Sequence, residues 1–158
     1  MSASAAPALP ALTLLTQIRC DVGPVQSLGP APHGERRFVE LLGGTAHGPG
    51  LSGEILPGGV DWQVARGDHA LDIDAHYVIR TPAGALVEVR SQGLRHGSPE
   101  VLARLARGEP VARDEYFFRT FMRFTTGHPA WEHLNRVMAL AIGHREARQV
   151  LLDVYQLH

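Results

Sequence analysis

The chain has 158 residues, 44% of them hydrophobic and 20% charged, with a formal net charge of −1. That length suits one domain with a real core, and the near-zero charge offers no electrostatic footprint for nucleic acid or an anionic membrane surface. A single cysteine, Cys20, excludes an intrachain disulfide or a multi-cysteine metal cage, and no apolar run approaches the length of a membrane span.

Residues 1–10 are rich in Ala and Pro and lack the basic and apolar regions of a signal peptide. They read as a disordered leader before one domain over residues 11–158, with the cytoplasm as the default location. Leu12, Leu14, Thr16, Ile18 and Cys20 alternate with more polar neighbours and predict a first strand. Cys20 in that row reads as a small buried hydrophobe. The Gly/Pro-rich stretch from Gly23 to Gly34 reads as a loop. Arg37 to Leu42 is a second strand turned by Gly43-Gly44, and Leu51 to Leu56 a third, ended by Pro57-Gly58-Gly59. Val60 to Ala65 returns as a fourth. Leu71 to Arg80 and Ala85 to Gln92 form the clearest hairpin, joined by Thr81-Pro82-Ala83-Gly84.

One helix interrupts the pattern, near Pro99 to Arg107. Ser98 can cap it, Pro99 suits its first position, Glu100 complements its positive end and Gly108 stops it. Strands Tyr116 to Thr126 and Leu134 to Gly143 follow, and Gln149 to Leu157 closes the chain. About eight to ten antiparallel strands with one short helix predict an all-β fold. A closed barrel is favoured over a two-sheet sandwich because closure removes exposed edges.

Several segments together carry a family resemblance. They are Gly53-Glu54-Ile55-Leu56-Pro57-Gly58-Gly59-Val60-Asp61-Trp62, Leu71-Asp72-Ile73-Asp74-Ala75-His76-Tyr77, and Gly93-Leu94-Arg95-His96-Gly97 before Pro99-Glu100-Val101-Leu102. Tyr116-Phe117-Phe118-Arg119, Phe124-Thr125-Thr126-Gly127, Trp131, Leu134-Asn135-Arg136 and Asp153-Val154-Tyr155 complete the set. From about Leu12 to Leu157 the chain resembles the family catalogued as domain of unknown function three-two-three-seven, of bacteria and fungi. The resemblance implies a lipocalin-like or calycin-like β-barrel with an internal cavity and leaves the activity open.

Four constellations could carry chemistry. Glu54 and Asp61 flank the Pro57-Gly58-Gly59 turn equidistantly, so a hairpin there would bring the two carboxylates together. Trp62 would be the apolar wall that keeps one of them protonated. The bland alternative is a solvated Glu54 and an Asp61 bonded to its own turn. Asp72, Asp74 and His76 share one strand face at roughly 7 Å steps. The opposite row, Leu71 to Ile79, must be buried, so these three face water and Glu88 and Arg90 can join them as a charge ladder. No His pair has zinc spacing. Arg95, between two glycines and beside the helix start, would suit a carboxylate, phenolate or enolate, or else pin the loop to a carboxylate. Tyr77, Tyr116 and Phe124 belong to the aromatic supply and, with Asn135, are substrate-binding candidates. Buried hydroxyls and amides need partners.

These residues predict a barrel that receives a small, partly apolar molecule. The leading expectation is a cofactor-independent acid/base enzyme, a lyase, hydratase or isomerase acting on an aromatic or polyketide-like substrate. Asp61 and Glu54 would move protons, and Arg95 would stabilise a developing anion. The rival is a carrier without turnover. Neither a metal, a nucleotide, a nucleic acid nor a membrane partner is expected, and a homo-oligomer is compatible with the sequence.

Overall fold

The computed structural model describes residues 5–158, of which residues 5–10 are exposed and lie outside any strand; the first four residues of the predicted leader lie outside the described residues. Nine strands follow: β1 (Leu12–Ala31), β2 (Gly34–His47), β3 (Gly53–Ile55), β4 (Gly59–Ala65), β5 (Ala70–Arg80), β6 (Leu86–His96), β7 (Phe117–Thr125), β8 (Met138–Arg145) and β9 (Gln149–Leu157). They form one antiparallel sheet, and the pairing of β1 with β2 closes it into a barrel. Closure excludes the sandwich. Among the described residues no helix is long and apolar enough to cross a membrane.

Alternation places one row of each strand inside. Ile18, Cys20 and Val22 of β1, Val39 and Leu41 of β2, and Leu71, Ile73, Tyr77 and Ile79 of β5 are buried. So are Val87 and Val89 of β6, Phe118, Met122 and Phe124 of β7, Ala139 and Ala141 of β8, and Leu152 and Val154 of β9. The β5–β6 hairpin forms as expected. Thr81 closes its turn by accepting from the Gly84 N–H and exchanging bonds with Ala85.

Three predicted loops or turns are different. Gly23 to Gly34 is not a loop, because β1 runs on to Ala31 and pairs with β2 throughout. Three register shifts absorb its irregular residues, and β9 stops pairing at Asp21. Pro24 and Pro30 therefore sit on a free edge, where the missing N–H costs no ladder bond. Gly43-Gly44 does not turn the chain either. At φ of 130° and 152° the two glycines let β2 bend and continue, and a side chain on Gly44 would meet the Arg19 carbonyl. Pro57-Gly58-Gly59 is no hairpin turn. β3 and β4 each pair with β2 on one side and β5 on the other, so they are two stretches of one interrupted strand.

The predicted helix is α1 (Pro99–Ala106), capped by the Ser98 hydroxyl, which accepts from the Val101 N–H at 3.2 Å. Its buried Leu105 and partly buried Val101 and Leu102 pack onto the core. Two 3-10 segments, Arg113–Glu115 and Pro129–Arg136, complete the helical content. The second replaces the start of the strand predicted from Leu134. Pro129 opens it, His128 caps it, and Asn135 holds it back to Thr126. Asn135 accepts from the Thr126 N–H at 2.8 Å and donates to the Thr126 carbonyl at 3.0 Å. Asn135→Ala is therefore expected to cost about 1–2 kcal/mol of stability by leaving that backbone pair unmet, read as a lowered urea midpoint.

Candidate functional site

Asp61 is the second residue after Gly59 on β4, opposite Val39 of β2 and Ala75 of β5. Parity turns Asp61 and Gln63 inward and Trp62 outward. Gln63 is buried. Its Oε1 accepts from Arg37 Nε at 2.9 Å, and its Nε2 donates to Asp61 Oδ2 at 2.7 Å. An arginine can only donate, so Arg37 dictates which way the amide faces. The amide NH2 in turn requires Asp61 Oδ2 to accept. Any proton on the carboxyl must then sit on Oδ1, which is sealed from solvent and has no hydrogen-bond partner among the described residues. Burial is the main reason the Asp61 carboxyl is pushed up to about 6, against the pull of the Gln63 hydrogen bond, of the nearby Asp74 backbone N–H, and of Arg95 and Arg145. It can hold or release a proton near neutral pH.

Arg95 is the tenth residue of β6, paired with Leu71 on one side and Phe118 on the other. It therefore belongs to a strand and not to the loop expected. Its guanidinium lies 5.9 Å from the Phe118 ring centroid, and its Nε is buried without a partner. Burial first, then the neighbouring charges of Arg145 and Arg37, push it down to about 10, so it stays cationic at neutral pH. Arg37 and Arg145 are lowered as well, both mainly by burial. Arg145 ends the inward row Ala139, Ala141, Gly143 of β8, and its backbone N–H donates to the Tyr116 hydroxyl at 2.8 Å.

These groups line three neighbouring spaces. A vestibule of about 380 Å³ lies between α1 and the barrel end, walled by Val25, Leu71, Leu102, Leu105 and Ala147. An outer chamber of about 40 Å³ is lined by Asp61, Gln63, Ile73 and Phe118. Arg37, Arg95 and Arg145 line both. Deeper in, a chamber of about 50 Å³ is lined by Cys20, Tyr77, Ser91 and Thr120, and it shares Asp61 with the outer one. The Tyr77 hydroxyl is buried without a partner, and burial raises its pKa above the ordinary value. Gly59 makes room for Tyr77, since a side chain there would come within 2.6 Å of the Tyr77 Cβ. Burial pushes the Cys20 thiol up to about 11, so it is protonated and inert. The interior thus sets three guanidinium groups against one carboxylate, the composition of an anion site.

The structure brings Asp61, Arg95 and Tyr77 together and separates the other sequence candidates from them. Glu54 is exposed and ion-paired with Arg80 at 2.8 Å, because the interrupted strand carries it to the outer surface away from Asp61. Trp62 is 38% exposed on the outer face, tilted against Phe38 at 5.2 Å with Arg36 over its ring, so it is no wall for Asp61. Tyr116 is buried, but its hydroxyl serves the Arg145 backbone and lies 3.2 Å from His144 Nδ1. Phe124 is core at the far end of β7 from Phe118 and lines neither chamber. Asn135 is exposed and spent on Thr126. The α1 start does not join Arg95. Ser98 serves its own cap, and α1 contributes Leu102, Leu105 and Ala106 to the vestibule. The charge ladder forms as expected. Arg90 pairs with Asp74 at 3.0 Å, His76 lies 2.8 Å from Glu88, and Asp72 pairs with Arg66. Arg37, Gln63 and Arg145 went unnoticed in the sequence, although Arg37 and Arg145 each sit in phase with a buried row.

The model of the family described as protein of unknown function (DUF3237) matches residues 10–157. The chain belongs to this family. Within DUF3237, it is 39% identical over 140 residues to the UPF0311 protein RPA1785 of Rhodopseudomonas palustris, covering 89% of this chain and 92% of that one. The crystal structure of that protein, itself described as of unknown function, matches at a TM-score of 0.91 over 97% of this chain and 100% of that one. A beta-barrel like protein of Acinetobacter baumannii matches at a TM-score of 0.83 and 36% identity, over 97% of this chain and 99% of that one. An enzyme from Penicillium herquei shares the fold at a TM-score of 0.74 and 21% identity, over 99% of this chain and 100% of that one.

Proposed function

We propose that the barrel is a cofactor-independent acid/base enzyme of the isomerase or lyase type, which binds a small organic anion and moves its proton with Asp61. One observation carries this reading: a part-buried carboxyl group, oriented through Gln63, lines one chamber with three part-buried arginines, and its Oδ1 has no hydrogen-bond partner among the described residues. Perturbed titratable groups converging in a cavity are the usual mark of proton chemistry. The vestibule has the volume of a small-molecule site, whereas each chamber alone holds little more than a few waters. A ligand would lay its apolar body along Val25, Leu71 and Leu102 and extend its acidic group past the arginines. Charge developing on its oxygen would meet guanidinium donors already in place, in a site of low dielectric. Asp61, as carboxylate, would take the proton, and as acid would return it.

Benzoate, a simple anionic probe, tests the charge arrangement. Protonating Asp61 removes the carboxylate that lines the outer chamber with the arginines, while Glu35 beside Arg37 stays charged, so benzoate should bind more tightly as pH falls from 7 to 5.5, with the change centred near 6. Asp61→Asn should bind benzoate tightly across that range and lose the pH dependence. Calorimetric titration that finds no benzoate binding, or binding indifferent to pH and to Asp61, would reject the site.

A further inference from the structure

We propose that the substrate is a 1,3-dioxygenated compound, a 1,3-diketone carried on an apolar body and ionised at a separate acidic group, whose central C–H proton Asp61 removes. This rests on the reading of Asp61 as the proton-transfer group and names the molecule it acts on.

The order of groups along the barrel carries the inference. Arg95 lines the outer chamber, Tyr77 the inner one, and Asp61 alone of the three lines both. Asp61 therefore stands between the other two. Each flanking residue holds a buried donor without a partner, Arg95 Nε–H on one side and the Tyr77 hydroxyl on the other, and Asp61 Oδ1 between them has none either. Buried polar groups are rarely left unpaired, and three such atoms on residues that line two adjoining chambers point to a ligand. The complement of two donors astride a base is a molecule with two acceptor oxygens astride an acidic hydrogen. The smallest such pattern puts one CH2 between two C=O groups.

Base strength selects the same class. A carboxylate titrating near 6 is a weak base, matched to a C–H acidified by two carbonyl groups and poorly matched to one beside a single carbonyl. Tyr77 keeps its proton at neutral pH and acts only as a hydrogen-bond donor. The step balances without any oxidant or reductant. The C–H bond breaks, the proton passes to Asp61 Oδ1, and the electron pair delocalises onto the two oxygens held by Arg95 and Tyr77. Return of the proton to oxygen or carbon completes a tautomerisation. The vestibule of about 380 Å³, with Leu102 and Leu105 of α1 on one wall, takes the apolar body.

The test uses 2,4-dioxo-4-phenylbutanoate in deuterated buffer, with loss of its C3–H signal followed by NMR. The protein should accelerate exchange about a hundredfold or more over buffer. Asp61→Asn should return it to the buffer rate. Tyr77→Phe should slow exchange about tenfold while benzoate affinity stays unchanged, with a melting curve confirming that the variant is folded. The comparison compound 2,5-dioxo-5-phenylpentanoate keeps both ketones but has no C–H shared between them, and its exchange should match buffer. Equal acceleration of both compounds, or a Tyr77→Phe variant that exchanges like the parent, would overturn the substrate class and leave Asp61 chemistry standing. No acceleration of either compound would overturn it too. If benzoate still binds with its pH dependence in that case, the anion site survives, whereas loss of benzoate binding would sink the underlying function as well.

Discussion

Asp61→Asn is expected to lower turnover by about two to four orders of magnitude, the usual cost of removing a general acid/base, while making the protein more stable at neutral pH. The stability half follows from linkage. Asp61 titrates at about 6 in the folded chain against an ordinary value of 3.8. Between those values the folded state holds a proton that the unfolded chain has released. Stability is therefore fully present below about pH 4, falls as pH rises through 6, and stays lower above it. A rise of that size corresponds to about 3 kcal/mol, a cost asparagine does not bear, since it keeps the shape without the charge. Urea midpoints measured from pH 4 to pH 7 should converge toward acid pH and separate toward neutral pH, with the variant ahead. A variant that is both active and no more stable at pH 7 would show that Asp61 is neither buried as charge nor used as catalyst. A carrier would show the stability gain with no turnover in either form.

Arg95→Met should weaken benzoate binding about a hundredfold, within the range seen when one member of a buried charge-assisted contact is removed, and leave the fold nearly intact. Arg95 Nε has no partner, and Arg145 and Arg37 oppose its charge, so the guanidinium contributes little to stability. Met preserves the length of the side chain against Phe118 and fills most of the same space. The expected change in unfolding free energy is within about 1 kcal/mol. A collapse of the melting temperature with benzoate affinity preserved would mean that Arg95 braces β6 against β7 and has no ligand to hold.

How far the sequence reached is clearest strand by strand. The rows on β5 were legible because every second residue from Leu71 to Ile79 is apolar, which forces Asp72, Asp74 and His76 outward. The same parity applied to β4 would have placed Gln63 with Asp61 and sent Trp62 to the other face. Arg37 and Arg145 extend the buried rows through Val39 and Ala141, and a charged residue in phase with a core row marks a functional interior. Glu54 failed for another reason. Its pairing with Asp61 assumed that a Pro-Gly-Gly stretch reverses the chain. Whether such a stretch makes a hairpin or a break in one strand depends on whether β2 and β5 are there to hold both halves, and those partners lie far away in sequence.

By itself the sequence determined the all-β class, the β5–β6 hairpin and the capped helix, since each follows from local spacing, capping and turn chemistry. Only the tertiary structure decided that Asp61, Arg37, Arg95 and Arg145 share one buried space, because they come from four strands that meet only when the barrel closes. Closure also set their protonation. Burial, which is no property of any one segment, brings the Asp61 carboxyl to about 6 against the pull of Arg95 and Arg145, and leaves Arg95 Nε and the Tyr77 hydroxyl without partners.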